Sequence, residues 1–445
     1  MSYFRFFPDC YYLSGPVQGV IYNLSHKYIL PLTKMETEIV NRWKANESIE
    51  EVESHFGTDS KVLLNHLIKE GLGAIFTNPV LAEPLLLKAN MEIKGLIEDP
   101  PQVKLVYLQL NENCNANCKF CGSDSYYKWQ GCNSCLRWTK PIKSESLPQL
   151  DYNEILQQLN DLKAPRLIFS GGNPLLEWLR VYELILFALK LNPKITVQIN
   201  TNGFGLNDTI INEAKTANTI FSFTVFGNTP EDYKKITGLP EVFNCLIEGI
   251  KLCQLHQVPY LICLLIDPEK RSKYTEWQRF AMDLGGQHFF TTELIPKLKP
   301  SFPILSLPTN QERLEQLDIN SFFSRQRFNP CLNGVIAVSD SGIILPCPMF
   351  EIPLNEIPGD NIFSVFRKRN YEIFWRYTKQ NVPICQTCGY RLVCSDCSIL
   401  EWALQKNPTI HKVFCDYEPQ IGKWRQKEPE DQTFKEVAAS LSHTD

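Results

Sequence analysis

Between about residue 100 and residue 300 the chain alternates strand-length apolar segments with helical segments, and this alternation constrains the fold more than any other feature. The strand candidates are nearly continuous in hydrophobicity, which is typical of parallel strands buried on both faces. Helical crossovers between such strands predict a parallel sheet or a partial barrel, with ligands at the carboxyl ends of the strands. The predicted strands are 103–110, 166–171, 195–200, 219–226, 259–265 and 287–294, and the predicted helices are 152–163, 175–191, 207–217, 240–257 and 271–284.

The first 95 residues predict a smaller unit of short strands and three helices. Thr33 is a candidate cap for the first helix, Ser48 and Glu51 have capping-box spacing before the second, and Gly57 is a stop signal. A third helix is expected over 60–71, followed by a strand in GAIFTN. The pattern is similar to a winged-helix unit, a class that binds DNA or peptide. Because Lys and Arg are thinly spread here, peptide is favoured over DNA.

The composition of the chain limits the classes of partner that it is expected to bind and the cellular compartment in which it is expected. Lys plus Arg total 45 and Asp plus Glu total 49, and the resulting net charge of −4 argues against a partner that is nucleic acid or an anionic membrane. No apolar run reaches the roughly 18 residues of a membrane-spanning helix, and the amino terminus lacks a secretion signal, so a cytoplasmic location is expected. In a reducing compartment, clustered cysteines are more often metal ligands or redox groups than disulfides.

The 16 cysteines differ in how well they fit a role as metal ligands or redox groups. Cys245, Cys253 and Cys263 lie in apolar helix or strand patterns and are expected to be inert core residues. The remaining cysteines are mostly grouped at short spacings. These groups are the candidates for chemistry.

The first strand of the alternating region runs directly into NENCNANCKFC, which places Cys114, Cys118 and Cys121 at its carboxyl end. Three thiolates on one loop can hold three irons of a cubane [4Fe-4S] cluster and leave the fourth iron open to a small ligand. Zinc is the alternative, but zinc loops usually pair two Cys-x2-Cys hairpins or add histidine. With Phe120 before the third cysteine, the spacing resembles the signature of the radical S-adenosylmethionine (SAM) enzymes. That resemblance implies that SAM binds the cluster and is cleaved to a 5′-deoxyadenosyl radical.

Residues at the ends of the later predicted strands also fit the resemblance to radical SAM enzymes. In the family, a turn like Gly171 and Gly172 holds the amino group of SAM and is followed by an acidic residue, where this chain has Asn173. The amide oxygen of Asn173 can still accept that hydrogen bond but contributes no charge. The resemblance also implies that Asn202 and Thr224 contact the ribose or carboxylate of SAM, and the alternative for each is an ordinary strand-end residue.

Two acidic residues close the fifth and sixth predicted strands. Asp267 and Glu293 lie on the side of the sheet where substrate is expected, so either is a candidate to accept a proton during substrate oxidation. The alternative is that they cap loops or pair with a lysine.

The cysteines from residue 331 onward form a second pattern among turn residues, similar to the SPASM extension of peptide-modifying radical SAM enzymes. That extension binds two auxiliary [4Fe-4S] clusters, which would bring the total to three. By this resemblance the ligands of the first auxiliary cluster are Cys331, Cys347 and Cys397, and those of the second are Cys385, Cys388, Cys394 and Cys415.

The first auxiliary cluster departs from the pattern because no fourth cysteine precedes Cys331 in that region. One interpretation is an open iron that binds substrate or another ligand. Another is that Cys132 or Cys135, a Cys-x2-Cys pair inserted after the first cysteine loop, supplies the missing thiolate. A redox pair and a pair of free thiols are the remaining alternatives.

Taken together, the patterns predict an α/β fold with a partial (β/α)6 radical SAM barrel. The predicted domains are a winged-helix-like leader-peptide recognition domain at 1–95, the barrel at 100–300, a SPASM domain at 301–420 and a charged tail at 421–445.

This domain order resembles the maturases of ribosomally made peptides, and FRFFPDC followed by VIYNL is similar to their grasp-with-spasm group. The resemblance implies oxidative cross-linking of side chains in a precursor peptide, with flavodoxin or ferredoxin as electron donor and the auxiliary clusters taking electrons. One alternative is an anaerobic sulfatase maturase that makes formylglycine, but Pro348 stands after Cys347 where that family has an acidic residue. The other is a non-catalytic iron–sulfur protein that binds peptide.

Overall fold

The computed structural model describes residues 1–80, 102–121, 126–140, 150–296, 317–356, 361–394, 397, 415 and 417–424. Most of the predicted charged tail lies outside these residues. Within them, no helix is both long enough and apolar enough to cross a membrane.

The amino-terminal unit contains five short strands and three helices. The strands are β1 (Tyr3–Phe6), β2 (Cys10–Leu13), β3 (Val20–Asn23), β4 (Tyr28–Pro31) and β5 (Gly73–Phe76), and the helices are α1 (Lys34–Lys44), α2 (Ile49–Phe56) and α3 (Thr58–Lys69). Strands β2, β3 and β4 form an antiparallel meander with β3 at its centre, and β1 pairs with β5.

The helix signals predicted for this unit are confirmed. The hydroxyls of Thr33 and Ser48 each accept a hydrogen bond from the backbone three residues later, and Glu36 and Glu51 accept one from the cap backbone in return. Gly57 ends α2 with a φ of +59°, which a residue with a Cβ adopts only with strain.

The central sheet contains the six predicted strands and one that the sequence did not indicate. The strands are β6 (Leu105–Leu108), β7 (Tyr126–Trp129), β8 (Arg166–Phe169), β9 (Thr196–Thr201), β10 (Thr219–Val225), β11 (Tyr260–Ile266) and β12 (Phe289–Pro296). Strand β6 and strands β8 to β12 are parallel and follow one another in chain order. The predicted partial (β/α)6 barrel is therefore confirmed. Strand β7 pairs antiparallel with β12 at the far edge.

Helices connect these strands on the outside of the barrel. They are α4 (Tyr152–Asp161), α5 (Trp178–Leu191), α6 (Asp208–Thr216), α7 (Pro230–Thr237), α8 (Glu241–His256) and α9 (Tyr274–Asp283). Five of them match the predicted helices, and α7 is additional. Its signals are ordinary ones, since Thr229 caps it and Pro230 occupies its first turn.

The carboxyl-terminal region continues the barrel sheet. Its strands are β13 (Val335–Val338), β14 (Ile343–Leu345), β15 (Asn355–Glu356), β16 (Tyr417–Glu418) and β17 (Lys423–Trp424), and its helices are α10 (Ile319–Ser324), α11 (Ile362–Lys368), α12 (Glu372–Trp375) and α13 (Pro383–Gln386). Strand β13 lies parallel to β6, and β14 and β15 extend the sheet from there. The β16–β17 hairpin spans the domain boundary predicted at residue 420.

Hydrophobic clusters link the three regions. The largest fills the barrel and continues into the carboxyl-terminal region, and a separate one fills the amino-terminal unit. A third joins Val20 and Tyr22 of β3 to Phe322, Tyr390 and neighbouring residues of the carboxyl-terminal region. The β2–β4 meander is thus packed on that region.

Candidate functional site

The loop that follows β6, here called the cysteine loop, carries Cys114, Cys118 and Cys121. It lies at the carboxyl end of the barrel strands and is anchored on the end of α7. The Asn117 N–H donates a hydrogen bond to the Thr237 carbonyl (3.0 Å), and the Lys119 N–H donates to the Ile236 carbonyl (3.2 Å). Phe120 is fully buried. The backbone of the loop is therefore fixed independently of any cofactor.

The three thiols of this loop differ in acidity. A hydrogen bond from the Cys118 thiol holds the pKa of Cys121 below its usual range, and the same bond raises the pKa of Cys118. Burial raises the pKa of Cys114. Because the thiolate is the form that binds metal, Cys121 is the sulfur most readily available to iron.

The glycine turn after β8 passes directly against the cysteine loop. Gly171 and Gly172 have φ values of +90° and +123°. A Cβ on Gly172 would lie 2.6 Å from the carbonyl oxygen of Asn113, and a Cβ on Gly171 would lie 2.8 Å from the indole nitrogen of Trp138. Only glycine fits this close approach, which agrees with the predicted importance of the turn.

Asn173 ties the cysteine loop to the end of β9. Its side-chain amide donates hydrogen bonds to the Asn115 Oδ1 (3.1 Å) and to the Phe204 carbonyl (2.9 Å), and its Oδ1 accepts from the Thr201 hydroxyl (2.8 Å). The side chain is almost completely buried. Asn173 therefore orients the loop, and its predicted contact with SAM stays a prediction.

Asn202, like Asn173, lies against the cysteine loop. Its Nδ2 lies 3.8 Å from the Cys114 sulfur and 3.2 Å from the Asn115 Oδ1, and its own Oδ1 accepts a hydrogen bond from the Phe204 N–H. An amide proton directed at a ligand sulfur is one means by which a protein tunes an iron–sulfur cluster. Asn202 thus contacts the predicted cluster ligand, while its contact with SAM is untested.

The two acidic candidates are both buried, and only one of them closes its strand. Asp267 directly follows β11, whereas Glu293 lies inside β12, which continues to Pro296. Asp267 Oδ2 lies 2.8 Å from the Lys119 ammonium of the cysteine loop, which is the lysine pairing considered as the alternative role. Glu293 lies on β12 opposite Trp129 of β7 and is 4% exposed. Proton transfer by either residue stays a prediction.

Residues 130–139, here called the inserted segment, lie across the barrel strands near their carboxyl ends. Asn200 Nδ2 donates to the carbonyls of Cys132 (3.0 Å) and Ser134 (3.1 Å), and the Cys135 N–H donates to the Thr224 hydroxyl (2.8 Å). Further hydrogen bonds join Thr292 to Gln130, Ser222 to Asn133 and Trp138 to Ser170.

Sequence reasoning did not place this segment. The available signal was a set of polar side chains inside otherwise apolar strands, because a buried polar group needs a partner. That set comprises Asn200, Ser222, Thr224 and Thr292. Thr224, which the resemblance assigned to SAM, uses its hydroxyl here to hold the inserted segment.

Cys347 has Cys331 and Cys397 as neighbours, and these three are here called the first auxiliary group. Their role as ligands of one cluster stays a prediction. Burial raises the pKa of the Cys347 thiol, and the nearby charges of Cys132, Cys331 and Cys397 raise it further. The Tyr107 hydroxyl hydrogen-bonds the Cys132 sulfur, and burial raises the pKa of Tyr107 well above its usual value. Cys132 is therefore a neighbour of the first auxiliary group.

The four cysteines predicted to share the second auxiliary cluster also lie close together. This second auxiliary group is Cys385, Cys388, Cys394 and Cys415. Burial raises the pKa of Cys415, and the charges of the other three thiols raise it further. Burial likewise raises the pKa of Cys388 to about 12. The loop from Cys388 to Cys394 contacts the amino-terminal unit, because Tyr22 donates a hydrogen bond to the Gly389 carbonyl at 2.5 Å.

Two of the three cysteines predicted to be core residues are fully buried, and the third is not. Cys253 and Cys263 are 0% exposed, and the Cys263 sulfur lies 3.2 Å from the Thr292 hydroxyl. Cys245 on α8 is only partly buried.

The donor set bears on the kind of metal site. Within the described ranges, no three His, Cys, Asp or Glu side chains are arranged to hold one metal ion. A cubane cluster requires only one thiolate for each iron, spaced around the cluster. Grouped cysteine thiols without histidine therefore fit iron–sulfur clusters.

Comparison with known proteins agrees with this chemistry. Residues 108–281 match the family model of the Radical SAM superfamily. The chain carries a radical SAM domain. The matched range begins at the end of β6 and contains the cysteine loop, the glycine turn and strands β8 to β11. The predicted radical SAM fold and enzyme class are confirmed, with SAM and a [4Fe-4S] cluster as the cofactors that they imply.

Individual relatives are distant in sequence. The AdoMet-dependent heme synthase of Methanosarcina barkeri (strain Fusaro / DSM 804) is 21% identical over 361 residues, which cover 71% of this chain and 97% of that protein. Native anSMEcpe with bound AdoMet matches 70% of this chain and 93% of its own, with 13% identity and a TM-score of 0.52. Streptococcus suis SuiB bound to precursor peptide SuiA matches 93% and 100%, with 15% identity and a TM-score of 0.48.

Proposed function

We propose that this radical SAM enzyme oxidatively modifies a ribosomally made precursor peptide by cross-linking side chains. The observation that supports the proposal is that Cys347 has Cys331 and Cys397 as neighbours, while Cys415 has Cys385, Cys388 and Cys394 as neighbours. A radical SAM reaction needs only the cluster of the cysteine loop. Two further clusters are useful where the substrate must lose an additional electron, as in a net oxidation.

The chemistry supplied by the bound cofactors is a 5′-deoxyadenosyl radical, which takes one hydrogen atom from the substrate. Formation of one carbon–carbon or carbon–heteroatom bond removes a second hydrogen, which leaves as a proton and an electron. The cysteines of the two auxiliary groups would hold clusters able to take this electron, and a flavodoxin or ferredoxin would supply the electron that starts each turnover. The peptide product therefore has two hydrogens fewer than the precursor.

Residues of this chain hold and enclose the reacting centre. Asn173 and Asn202 orient the cysteine loop through hydrogen bonds to Asn115. The inserted segment covers the strand ends and so limits the access of water, which a reactive radical requires. Asp267 or Glu293 would accept the proton that leaves the substrate, since both are buried near these strand ends.

The amino-terminal unit is the proposed site for the leader of the peptide. Strand β4 is an edge strand, because within the described part of the chain its only strand partner is β3. Its four residues are half-buried, so an added strand would gain backbone hydrogen bonds and some apolar contact. The other edge strand of the meander, β2, packs a side chain on the carboxyl-terminal region, where the ring centroids of Tyr11 and Phe322 are 4.7 Å apart.

The test combines the enzyme with short peptides encoded beside its gene. The holoenzyme is incubated anaerobically with SAM, a reductant and each peptide, and products are analysed by mass spectrometry. A peptide that loses two hydrogens and in which tandem mass spectrometry finds two residues linked, with no reaction once its leader is removed, supports the proposal. Conversion of a single Cys or Ser to formylglycine, which for Ser also removes two hydrogens but links no residues, would instead support the sulfatase-maturase alternative and contradict cross-linking.

A further inference from the structure

The first auxiliary group supplies three thiols, and a cubane cluster has four irons. The inserted segment approaches this group at several points. The Thr139 N–H donates a hydrogen bond to the carbonyl of Pro348, the residue after Cys347, at 3.2 Å. A Cβ on Gly131 would lie 2.8 Å from the sulfur of Met349. The segment therefore runs along the backbone that carries Cys347.

Cys132 is held beside this backbone by two further contacts. Its carbonyl accepts the hydrogen bond from Asn200, and its sulfur is hydrogen-bonded by Tyr107. Tyr107 lies on β6 directly opposite Ala337 of β13, the strand that leads toward Cys347. Both the main chain and the side chain of Cys132 are therefore positioned from the barrel, without help from a cluster.

The other member of the Cys-x2-Cys pair faces the cysteine loop. Cys135 has Cys114 and Cys121 as neighbours, and its carbonyl accepts a hydrogen bond from Gly172. Cys132 instead neighbours the first auxiliary group. The two sulfurs are not joined in a disulfide. One thiol of the pair is therefore available to the first auxiliary group.

We propose that Cys132 is the fourth thiolate ligand of the first auxiliary cluster, together with Cys331, Cys347 and Cys397. The proposal rests on the auxiliary clusters of the proposed function. It has a mechanistic consequence, because a cluster with four cysteine ligands has no open iron for substrate. The first auxiliary cluster then accepts electrons without binding the peptide, and Tyr107 adjusts its potential through the hydrogen bond to the Cys132 sulfur.

The experiment uses the full chain with Cys114, Cys118 and Cys121 changed to alanine, so that only the auxiliary clusters remain. Cys132→Ala is introduced into this parent, and Cys135→Ala in the same segment is the matched control. Iron content and the EPR spectrum of the dithionite-reduced protein are measured after anaerobic reconstitution. No peptide substrate is needed.

We expect Cys132→Ala to lose about half of the auxiliary iron, or to retain it with changed g values, because one of two cubanes loses a ligand. Cys135→Ala should match the parent in both respects. Iron content and spectra unchanged by Cys132→Ala would overturn the ligand assignment. A parent with no iron would refute the auxiliary clusters themselves, and failure of every peptide in the mass assay would refute only the proposed reaction.

A second measurement does not depend on the folding of any Cys132 variant. ¹³C-cyanide is added to the reduced parent, and hyperfine coupling to ¹³C is sought, since cyanide binds an iron with an open position. Absence of coupling supports four thiolate ligands on each auxiliary cluster. Coupling in the parent would show an open iron and contradict the proposal.

Discussion

The hydroxyl of Tyr22, in the central strand of the amino-terminal meander, donates a 2.5 Å hydrogen bond to the carbonyl of Gly389 in the loop of the second auxiliary group. Tyr22 is 1% exposed, and the same cluster of buried residues includes Cys388. The proposed peptide-recognition unit is therefore attached directly to the loop that carries Cys388 and Cys394. The orientation of the unit depends on that loop.

Removal of this hydrogen bond should loosen the attachment. Tyr22→Phe leaves the buried Gly389 carbonyl without its partner, at a cost of about 1–3 kcal/mol. We expect a lower thermal unfolding midpoint and faster loss of iron from the second auxiliary cluster. Tyr3→Phe is the control, because the Tyr3 hydroxyl contacts only the exposed Met1 sulfur. Equal midpoints for the two variants would show that the contact contributes nothing to docking.

The glycine turn offers a test of close packing against the cysteine loop. Gly172→Ala would place a Cβ 2.6 Å from the Asn113 carbonyl oxygen, so the loop must shift. Gly238→Ala is a matched control with a φ of +80° and no atom within 4 Å of the added Cβ, and it should cost only about 1 kcal/mol. We expect Gly172→Ala to lose the radical SAM cluster, measured as iron content and EPR signal. Equal iron in the two variants would contradict the packing argument.

Asn173 stands where related enzymes have an acidic residue, and the structure predicts that the acid would be harmful here. Asn173→Asp replaces an amide that donates to Asn115 and Phe204 by a carboxylate that cannot donate. We expect a loss of about 2–3 kcal/mol in the stability of the loop and slower formation of 5′-deoxyadenosine. Faster formation, with tighter SAM binding, would show that residue 173 serves SAM rather than the loop.

The thiols of the cysteine loop should react with iodoacetamide at different pH values. The pKa of Cys121 is lowered, so its thiolate is present at neutral pH, whereas Cys114 and Cys118 have raised pKa values and remain protonated. In the iron-free chain, Cys121 should be alkylated first at pH 7, and its rate should fall as the pH drops through the lowered pKa. Cys118→Ala removes the hydrogen-bond donor and should move this fall to higher pH. If the alkylation rate of Cys121 had the same pH dependence in Cys118→Ala, the hydrogen bond from Cys118 would not be what lowers the pKa of Cys121.

Much of the barrel and of its cysteine loop could be predicted because their signals are local. Strand β11 is a continuous apolar segment, β10 is apolar apart from its Thr and Ser residues, and Cys114 follows a strand within a few residues. The SPASM-like spacing likewise indicated which cysteines lie together. In these cases a short stretch of sequence carries the information, whatever the rest of the chain does.

The place of the inserted segment could not be predicted because it depends on contacts between distant parts of the chain. Cys132 meets Cys347 only because β13 lies beside β6, a strand pairing that hydrophobic periodicity does not specify. Similarly, the partner of Asn200 is a backbone carbonyl, which has no sequence signature. The sequence leaves three interpretations of the Cys-x2-Cys pair, as a source of a cluster ligand, as a redox pair or as free thiols.

The most direct test of the account follows a hydrogen atom from peptide to cofactor. The holoenzyme is incubated anaerobically with SAM, dithionite and a deuterated precursor peptide, and 5′-deoxyadenosine is analysed by mass spectrometry. We predict deuterium in the 5′-deoxyadenosine when the peptide keeps its leader, and no 5′-deoxyadenosine from the variant that lacks Cys114, Cys118 and Cys121. 5′-Deoxyadenosine that forms without deuterium, with every peptide unchanged in mass, would contradict peptide modification.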